Sequence, residues 1–293
     1  MEVIKVNNIT KDYGNNKGVF NVSFEVNRGE IVGFLGPNGA GKTTTIRHLM
    51  GFIKPDKGSV SIANMDCFRE VDRVQEMLGY LPGEIAFMDD MTGNEFIRFV
   101  GEMKGIKDFS YAESLKEFFE LDPRGKIKKM SKGMKQKIGI ICAFMGDPEI
   151  LILDEPTSGL DPLMQNKFVE LVLEAKEKGK TILMSSHIFE EIEHTCNRVV
   201  IIKDGYIIAD EDMESIKKTK NRIFNITFHS QDNANEFAAE YKESIVTKNT
   251  VKVSISSNVD GFIKSLAKYK VVDINVQSQS LEELFLHYYG GGK

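Results

Sequence analysis

The chain has 293 residues, 28% of them charged, and 38 Lys and Arg against 43 Asp and Glu leave a formal net charge of −5. That mildly acidic balance argues against a protein that grips nucleic acid through a diffuse basic surface, and a hydrophobic content of 41% excludes a disordered chain. The longest nearly apolar run, Ile138 to Gly146, is nine residues, and a bilayer span needs about 20, so no transmembrane helix is expected.

In chain order, Phe20, Val22, Phe24 and Val26 recur at every second residue, which predicts a half-buried antiparallel strand. Glu30 to Leu35 is a continuous apolar run ending in a Gly-rich segment, and Thr45 to Met50 follow with helical spacing. From about residue 85 to 145 the pattern turns helical: Phe96, Phe99, Val100 and Met103 recur at three and four residues, as do Leu115, Phe118, Phe119 and Leu121. This predicts a helical insertion beside the sheet. Glu149 to Leu153 and Lys180 to Ser185 are further buried strands, each followed by helical periodicity. Strands alternating with helices predict a parallel α/β sheet. Val199–Lys203 and Tyr206–Ala209, joined through Asp204-Gly205, read as a hairpin.

Past Met213 the character changes. Arg222–Phe228 alternates, Asn233–Tyr241 is helix-like, and Ser244–Ser256 reads as two strands around Lys248-Asn-Thr. Gly261–Tyr269 is helical, Val271–Val276 is a strand, and Leu281, Leu284, Phe285 and Tyr288 share one helix face. The order β-α-β-β-α-β fits a small α+β ferredoxin-like domain. The expected division is residues 1–215 and 220–289, joined by the polar Lys217-Lys-Thr-Lys220, with Gly290–Lys293 frayed. No secretory signal is expected from the first residues, and Cys67, Cys142 and Cys196, far apart and in no CxxC pair, fit reduced thiols.

Gly36-x-x-x-x-Gly41-Lys42-Thr43 is a complete P-loop between a strand and a helix. Glycines let backbone N–H groups turn onto phosphate oxygens, and the helix N-terminus adds partial positive charge. Gly36, Pro37, Asn38, Gly39, Ala40, Gly41, Lys42, Thr43 and Thr44 are therefore the candidate nucleotide cradle. Lys42 is placed to reach the β- and γ-phosphates, and the Thr43 hydroxyl to hold Mg²⁺. The guanine-specific Asn-Lys-x-Asp is missing, because Asn166-Lys167 is followed by Phe168-Val169, which excludes a Ras-like GTPase. Downstream, Ile150–Leu153 runs into Asp154-Glu155. Asp154 is a candidate for the magnesium shell, and Glu155 is placed to polarise a water toward the γ-phosphate.

With these residues assembled, the chain resembles the nucleotide-binding subunit of an ATP-binding cassette (ABC) transporter over residues 1–215. The most discriminating piece is Met130-Ser131-Lys132-Gly133-Met134-Lys135-Gln136-Lys137, similar to the family's signature segment, usually Leu-Ser-Gly-Gly-Gln. The resemblance implies that Ser131 and Gly133 contact the γ-phosphate of an ATP bound by the other subunit. Ser131 also reads as a helix N-cap, and the two roles are compatible. Ser158-Gly-Leu-Asp161 resembles the D-loop, implying that Asp161 lies at a dimer seam, or else it is a turn leading to a helix with Pro162 at its first position. His187 resembles the switch histidine that touches the γ-phosphate. Tyr13 stands where the family stacks an aromatic ring on adenine. One departure concerns the usual Gln after Leu78–Leu81, where this chain has Pro82-Gly83-Glu84. Gly83 has no side chain to offer, so either Glu84 substitutes or the loop serves only as a hinge.

The implied fold is a P-loop NTPase with a RecA-like parallel sheet core, an antiparallel β subdomain and a helical subdomain at about 85–145, plus the C-terminal domain. The implied activity is ATP hydrolysis with Mg²⁺, in a head-to-tail pair with a second copy or a paralogous ATPase. Glu155, His187 and Lys42 are the expected catalytic residues, and Thr43 and Asp154 the metal ligands. A separate transmembrane permease is the expected partner, at the cytoplasmic face of the membrane, and no nucleic acid is expected. Ile85–Met91 with Phe96 and Phe99 would line the groove for a permease helix, or else form the core of the helical insertion. The signature variant and the appended C-terminal unit favour an exporter. The alternatives are a soluble ABC ATPase of DNA repair or translation, and a regulator that binds nucleotide without hydrolysing it. Only 112 residues separate Lys42 from Asp154, without sustained heptads, and the chain holds one cassette, both of which disfavour the soluble type.

Overall fold

A computed structural model describes residues 1–219, 222–241, 244–255 and 259–278. The chain forms two compact units that divide between Met213 and Glu214. In chain order the first contains β1 (Glu2–Asp12), β2 (Gly18–Asn27), β3 (Ile31–Leu35), α1 (Lys42–Leu49), β4 (Lys57–Ile62), β5 (Met65–Asp66), α2 (Val71–Glu76) and β6 (Leu78–Leu81). The helical stretch follows as α3 (Gly93–Met103), α4 (Ser110–Phe118) and α5 (Lys132–Phe144). Then come β7 (Ile150–Asp154), α6 (Pro162–Glu177), β8 (Thr181–Ser186), α7 (Phe189–Thr195), β9 (Arg198–Lys203) and β10 (Tyr206–Asp212).

β3, β7 and β8 are buried at every position. That is why they read as unbroken apolar runs, as parallel strands covered on both faces do. They lie in a six-stranded sheet of order β10-β9-β3-β8-β7-β6, parallel except for β10. β9 turns into β10 through Asp204 and Gly205, both at positive φ, as the tight two-residue hairpin requires. A second, antiparallel sheet has the order β2-β1-β4-β5. Its Val6, Val22 and Phe24 pack with Phe34, Val200 and Ile202 in one core, and the Phe24 and Phe34 rings stand 5.1 Å apart. In the helical stretch, α3 opens on a capping box between Thr92 and Glu95, a sequence-local start signal.

Two expectations are corrected. Phe20 does not share the inward face of Val22, Phe24 and Val26: Val19 is the buried residue there and Phe20 is half-buried. Asn21 adopts φ +54°, and the pairing with β1 slips between Ile9–Val22 and Lys11–Val19, so a bulge moves the alternation by one residue. Of the stretch expected as a polar linker, Lys217–Thr219 instead belongs to a helix, α8 (Met213–Thr219), in which Met213 and Ile216 are buried.

The second unit contains β11 (Arg222–Phe228), α9 (Gln231–Ala239), β12 (Ile245–Thr247), β13 (Thr250–Ile255), α10 (Val259–Leu266) and β14 (Val271–Ser278). The antiparallel sheet has the order β12-β13-β11-β14, and Phe224, Ile226, Phe228, Phe237 and Phe262 fill its core. The helix expected at Leu281–Tyr288 and the terminal Gly290–Lys293 lie outside the described residues. Among the described residues no helix is long and apolar enough to cross a membrane. Burial pushes the thiols of Cys67, Cys142 and Cys196 up to about 12, which keeps them protonated and unreactive.

Candidate active site

Strand register builds the site. Leu35 of β3 pairs with Ser186 of β8, and Ser185 of β8 with Asp154 of β7. The three parallel strands therefore end at one level, and the loops leaving them, with the P-loop, Glu155 and His187, emerge at one edge, the carboxyl ends where open α/β sheets place their ligands.

The P-loop turns on Gly39 at φ +82° and Gly41 at φ +112°. A side chain at Gly36 would collide with the backbone oxygen of Ile202 at 2.4 Å, and one at Gly41 with Val19 at 2.7 Å, so the loop runs flat against its neighbours. α1 starts at Gly41 with no side chain capping its first turn. Those amides are left available to an anion. Lys42 is buried, and its Nζ donates to the carbonyls of Gly36 (2.6 Å) and Pro37 (3.3 Å) and pairs with Glu155 Oε1 at 3.0 Å.

Glu155 leaves β7 at φ +51°, an uncommon conformation for a side chain with a Cβ. Its amide donates to Ser185 O (3.2 Å) and Ser185 Oγ (3.1 Å), which fixes the turn. Its second oxygen, Oε2, meets His187 Nδ1 at 2.5 Å. One carboxylate thus links the P-loop lysine to the histidine. Asp154 is fully buried; its Oδ1 accepts the Ser185 hydroxyl at 2.5 Å, and its Oδ2 has no hydrogen-bond partner. Asp154 and Thr43 line one groove of about 630 Å³, together with Arg47, Gly83, Glu84 and Phe96. A Cβ at Gly83 would stand 3.2 Å from Asp154 Oδ2, so the glycine admits the loop close to that carboxylate. Ile85 and Ala86 line this groove, while Phe87 packs against Phe96 in a tilted pair with ring centroids 4.9 Å apart.

A second group forms around α5. Ser131 caps it by accepting the Met134 amide at 3.2 Å. Gly133 lies against Gly159, whose carbonyl oxygen would be 2.9 Å from a Cβ at Gly133. Lys132 Nζ donates to Ser158 Oγ at 2.9 Å, and the buried Gln136 donates to Pro156 O at 2.7 Å. Asp161 caps α6 through the Met164 amide (3.1 Å), with Pro162 at the first helical position. The loop from Glu155 to Asp161 therefore connects the signature segment to the carboxylate site. Tyr13 stands apart, 55% exposed on the β1–β2 connection. Gln136 lies within the segment that resembles the signature and carried that signal; Ser185 is marked only by the register of β7 with β8, and Glu191 only by the burial of its face of α7.

A family profile described as ABC transporter matches residues 19–158. The linearmycin resistance ATP-binding protein of Bacillus subtilis is 32% identical, covering 98% of this chain and 98% of its own length. The bacitracin transport ATP-binding protein of Bacillus licheniformis is also 32% identical, covering 99% of this chain and 98% of its own. Among solved structures, the dimeric structure of a bacterial ABC transporter cassette overlays with a TM-score of 0.65 at 25% identity, over 72% of this chain and 98% of that one.

Proposed function

The chain belongs to the ABC transporter family as an ATP-binding, ATP-hydrolysing subunit, and on that premise we propose that it drives an exporter through a separate transmembrane permease. The observation that carries the reading is the convergence of Lys42, Asp154, Glu155 and His187 on one edge of the sheet. Lys42 already uses donors on Gly36 and Pro37, so a phosphate at the uncapped start of α1 competes with Glu155 for the remaining one. Displacing Glu155 frees a carboxylate to accept a proton from a water aimed at the γ-phosphorus, with His187 orienting that carboxylate. The bond to the β-phosphate oxygen then breaks, giving ADP and phosphate. The unpartnered Asp154 Oδ2 beside Thr43 suits a hard cation, and these two residues would hold Mg²⁺. Bound there, Mg²⁺ would neutralise phosphate charge.

Ser131, Gly133 and Asp161 are read as the half-site offered to a second cassette, a reading supported by the dimeric cassette this chain resembles. Tyr13 is read as a stacking surface for adenine. The groove bearing Ile85, Ala86 and Phe96 is read as the seat of a permease helix, with Glu84, not Gly83, as the side chain facing Thr43 and Asp154. The resistance and transport roles in the two relatives' names support export, and the subunit then works at the cytoplasmic membrane face.

Equilibrium ATP binding and phosphate release by Lys42→Ala test the cradle. The expected outcome is an ATP affinity weakened by about tenfold or more and loss of hydrolysis. Unchanged affinity would contradict the role of Lys42.

A further inference from the structure

α7 carries a buried carboxyl that this mechanism leaves unused. Glu191 is 7% exposed. Its Oε2 accepts the Ser186 hydroxyl at 2.7 Å and the Thr157 hydroxyl at 3.2 Å. Ser186 Oγ in turn accepts the Ile188 amide at 2.9 Å. Thr157 lies two residues beyond Glu155, and Ser186 and Ile188 flank His187. One carboxylate oxygen thus fastens the loop leaving β7 to the loop leaving β8. Those loops carry the two ends of the His187–Glu155 contact. The helix is itself anchored: Thr195 Oγ1 donates to Glu191 O at 2.7 Å, and Lys176 of α6 donates to Thr195 O at 3.3 Å. Glu191 Oε1 has no hydrogen-bond partner. A half-satisfied buried carboxylate is costly to keep in a fold, and an apolar residue would pack there without that cost. Joining two hydroxyls on separate loops is what the carboxylate supplies and an apolar side chain cannot.

We propose that Glu191 is a positioning residue for ATP hydrolysis, a strap that holds Glu155 and His187 in mutual register. This rests on the reading that Glu155 and His187 act together in hydrolysis. Burial is the main cause that pushes the Glu191 carboxyl up to about 7, opposed by the two hydroxyls. Glu155 from the β7 loop adds a raising charge and His187 from the β8 loop a lowering one. Glu170, Glu174 and Glu177 of α6, with Glu190 and His194 of α7, line the groove that Glu191 itself borders. The ionised carboxylate accepts both hydroxyls more strongly than the neutral acid, so the strap tightens as pH rises through about 7.

The test is steady-state hydrolysis by the full chain, wild type against Glu191→Gln and Glu191→Ala, across about pH 6 to 8.5, with ATP affinity measured on the same samples. The Ala variant should lose about tenfold or more in kcat with ATP affinity within about twofold. The near-isosteric Gln variant keeps an acceptor and a similar shape, so it should recover most of kcat while lacking the inflection near pH 7. Wild-type kcat in the Ala variant, or a Gln profile with the wild-type inflection, overturns the strap. If the Ala variant does not fold, the Gln profile alone decides. Glu155→Gln, run in parallel, separates the failures. Full turnover there sinks the hydrolysis reading itself, whereas a dead Glu155→Gln beside a normal Glu191→Ala sinks only the strap.

Discussion

Glu155 and Glu191 show how one residue type divides into two behaviours by surroundings. The first is partly exposed and engages Lys42 and His187; the second is buried, and its carboxylate accepts two hydroxyls. The environment of Glu191 makes a stability prediction. Its ordinary value is 4.5, and burial raises it to about 7 in the folded chain, so the folded state holds the proton more tightly. The stabilisation is fully present below about pH 4.5 and is lost as pH rises through about 7. The gap corresponds to on the order of 3 kcal/mol. Urea denaturation at pH 5 and pH 8 should therefore show wild type losing stability relative to Glu191→Gln; parallel behaviour of the two would contradict the buried, raised carboxyl. The residues legible in the sequence are those whose chemistry needs neighbours in the chain, such as Lys42 after its glycines and Asp154-Glu155 at a strand end. Ser185 and Glu191 carry no such local signature. Asp154 lies 31 residues from Ser185 and meets it through the pairing of β7 with β8, and Thr157 lies 34 residues from Glu191. The other partner of Glu191, Ser186, is close in the chain but ends a strand that reads as purely apolar packing.

At the scale of elements, the start of α5 is a close junction with the loop that follows β7. Gly133 admits the Gly159 carbonyl, the Lys132 stem lies across Gly159, and Lys132 and Gln136 bond the same loop. Gly133→Ala places a Cβ 2.9 Å from a backbone oxygen, which neither side can avoid without shifting. The expected cost is about 1–3 kcal/mol of stability. ATP-dependent association should fall while ATP binding by a single copy persists; an unchanged melting temperature and unchanged association would contradict this packing. The same scale shows where periodicity misleads. The alternation at Phe20–Val26 marks β2 correctly, yet the bulge at Asn21 reverses which side chain faces inward, because a single left-handed residue has no signature in a hydrophobic pattern. β1 itself escapes notice for a related reason. It is bent at Asn8 (φ +47°) and buries Val3, Ile4, Val6 and Ile9, which do not alternate.

For the whole molecule, the sheet edge gathers the P-loop, Glu155 and His187, while Ser131, Gly133 and Asp161 form a separate group around α5 and the start of α6. On the proposed reading the carboxylate site supplies a base and a phosphate cradle, and the second group supplies capped helix starts at Ser131 and Asp161. On that same reading the two groups meet across a pair of chains, so that ATP completes each site from both sides. The direct test is the Glu155→Gln chain incubated with ATP and examined by native mass spectrometry. The expected result is a two-copy species retaining two ATP molecules, abolished by adding Lys42→Ala. ATP-loaded single copies that never pair, at concentrations where ATP binding is saturated, would contradict it.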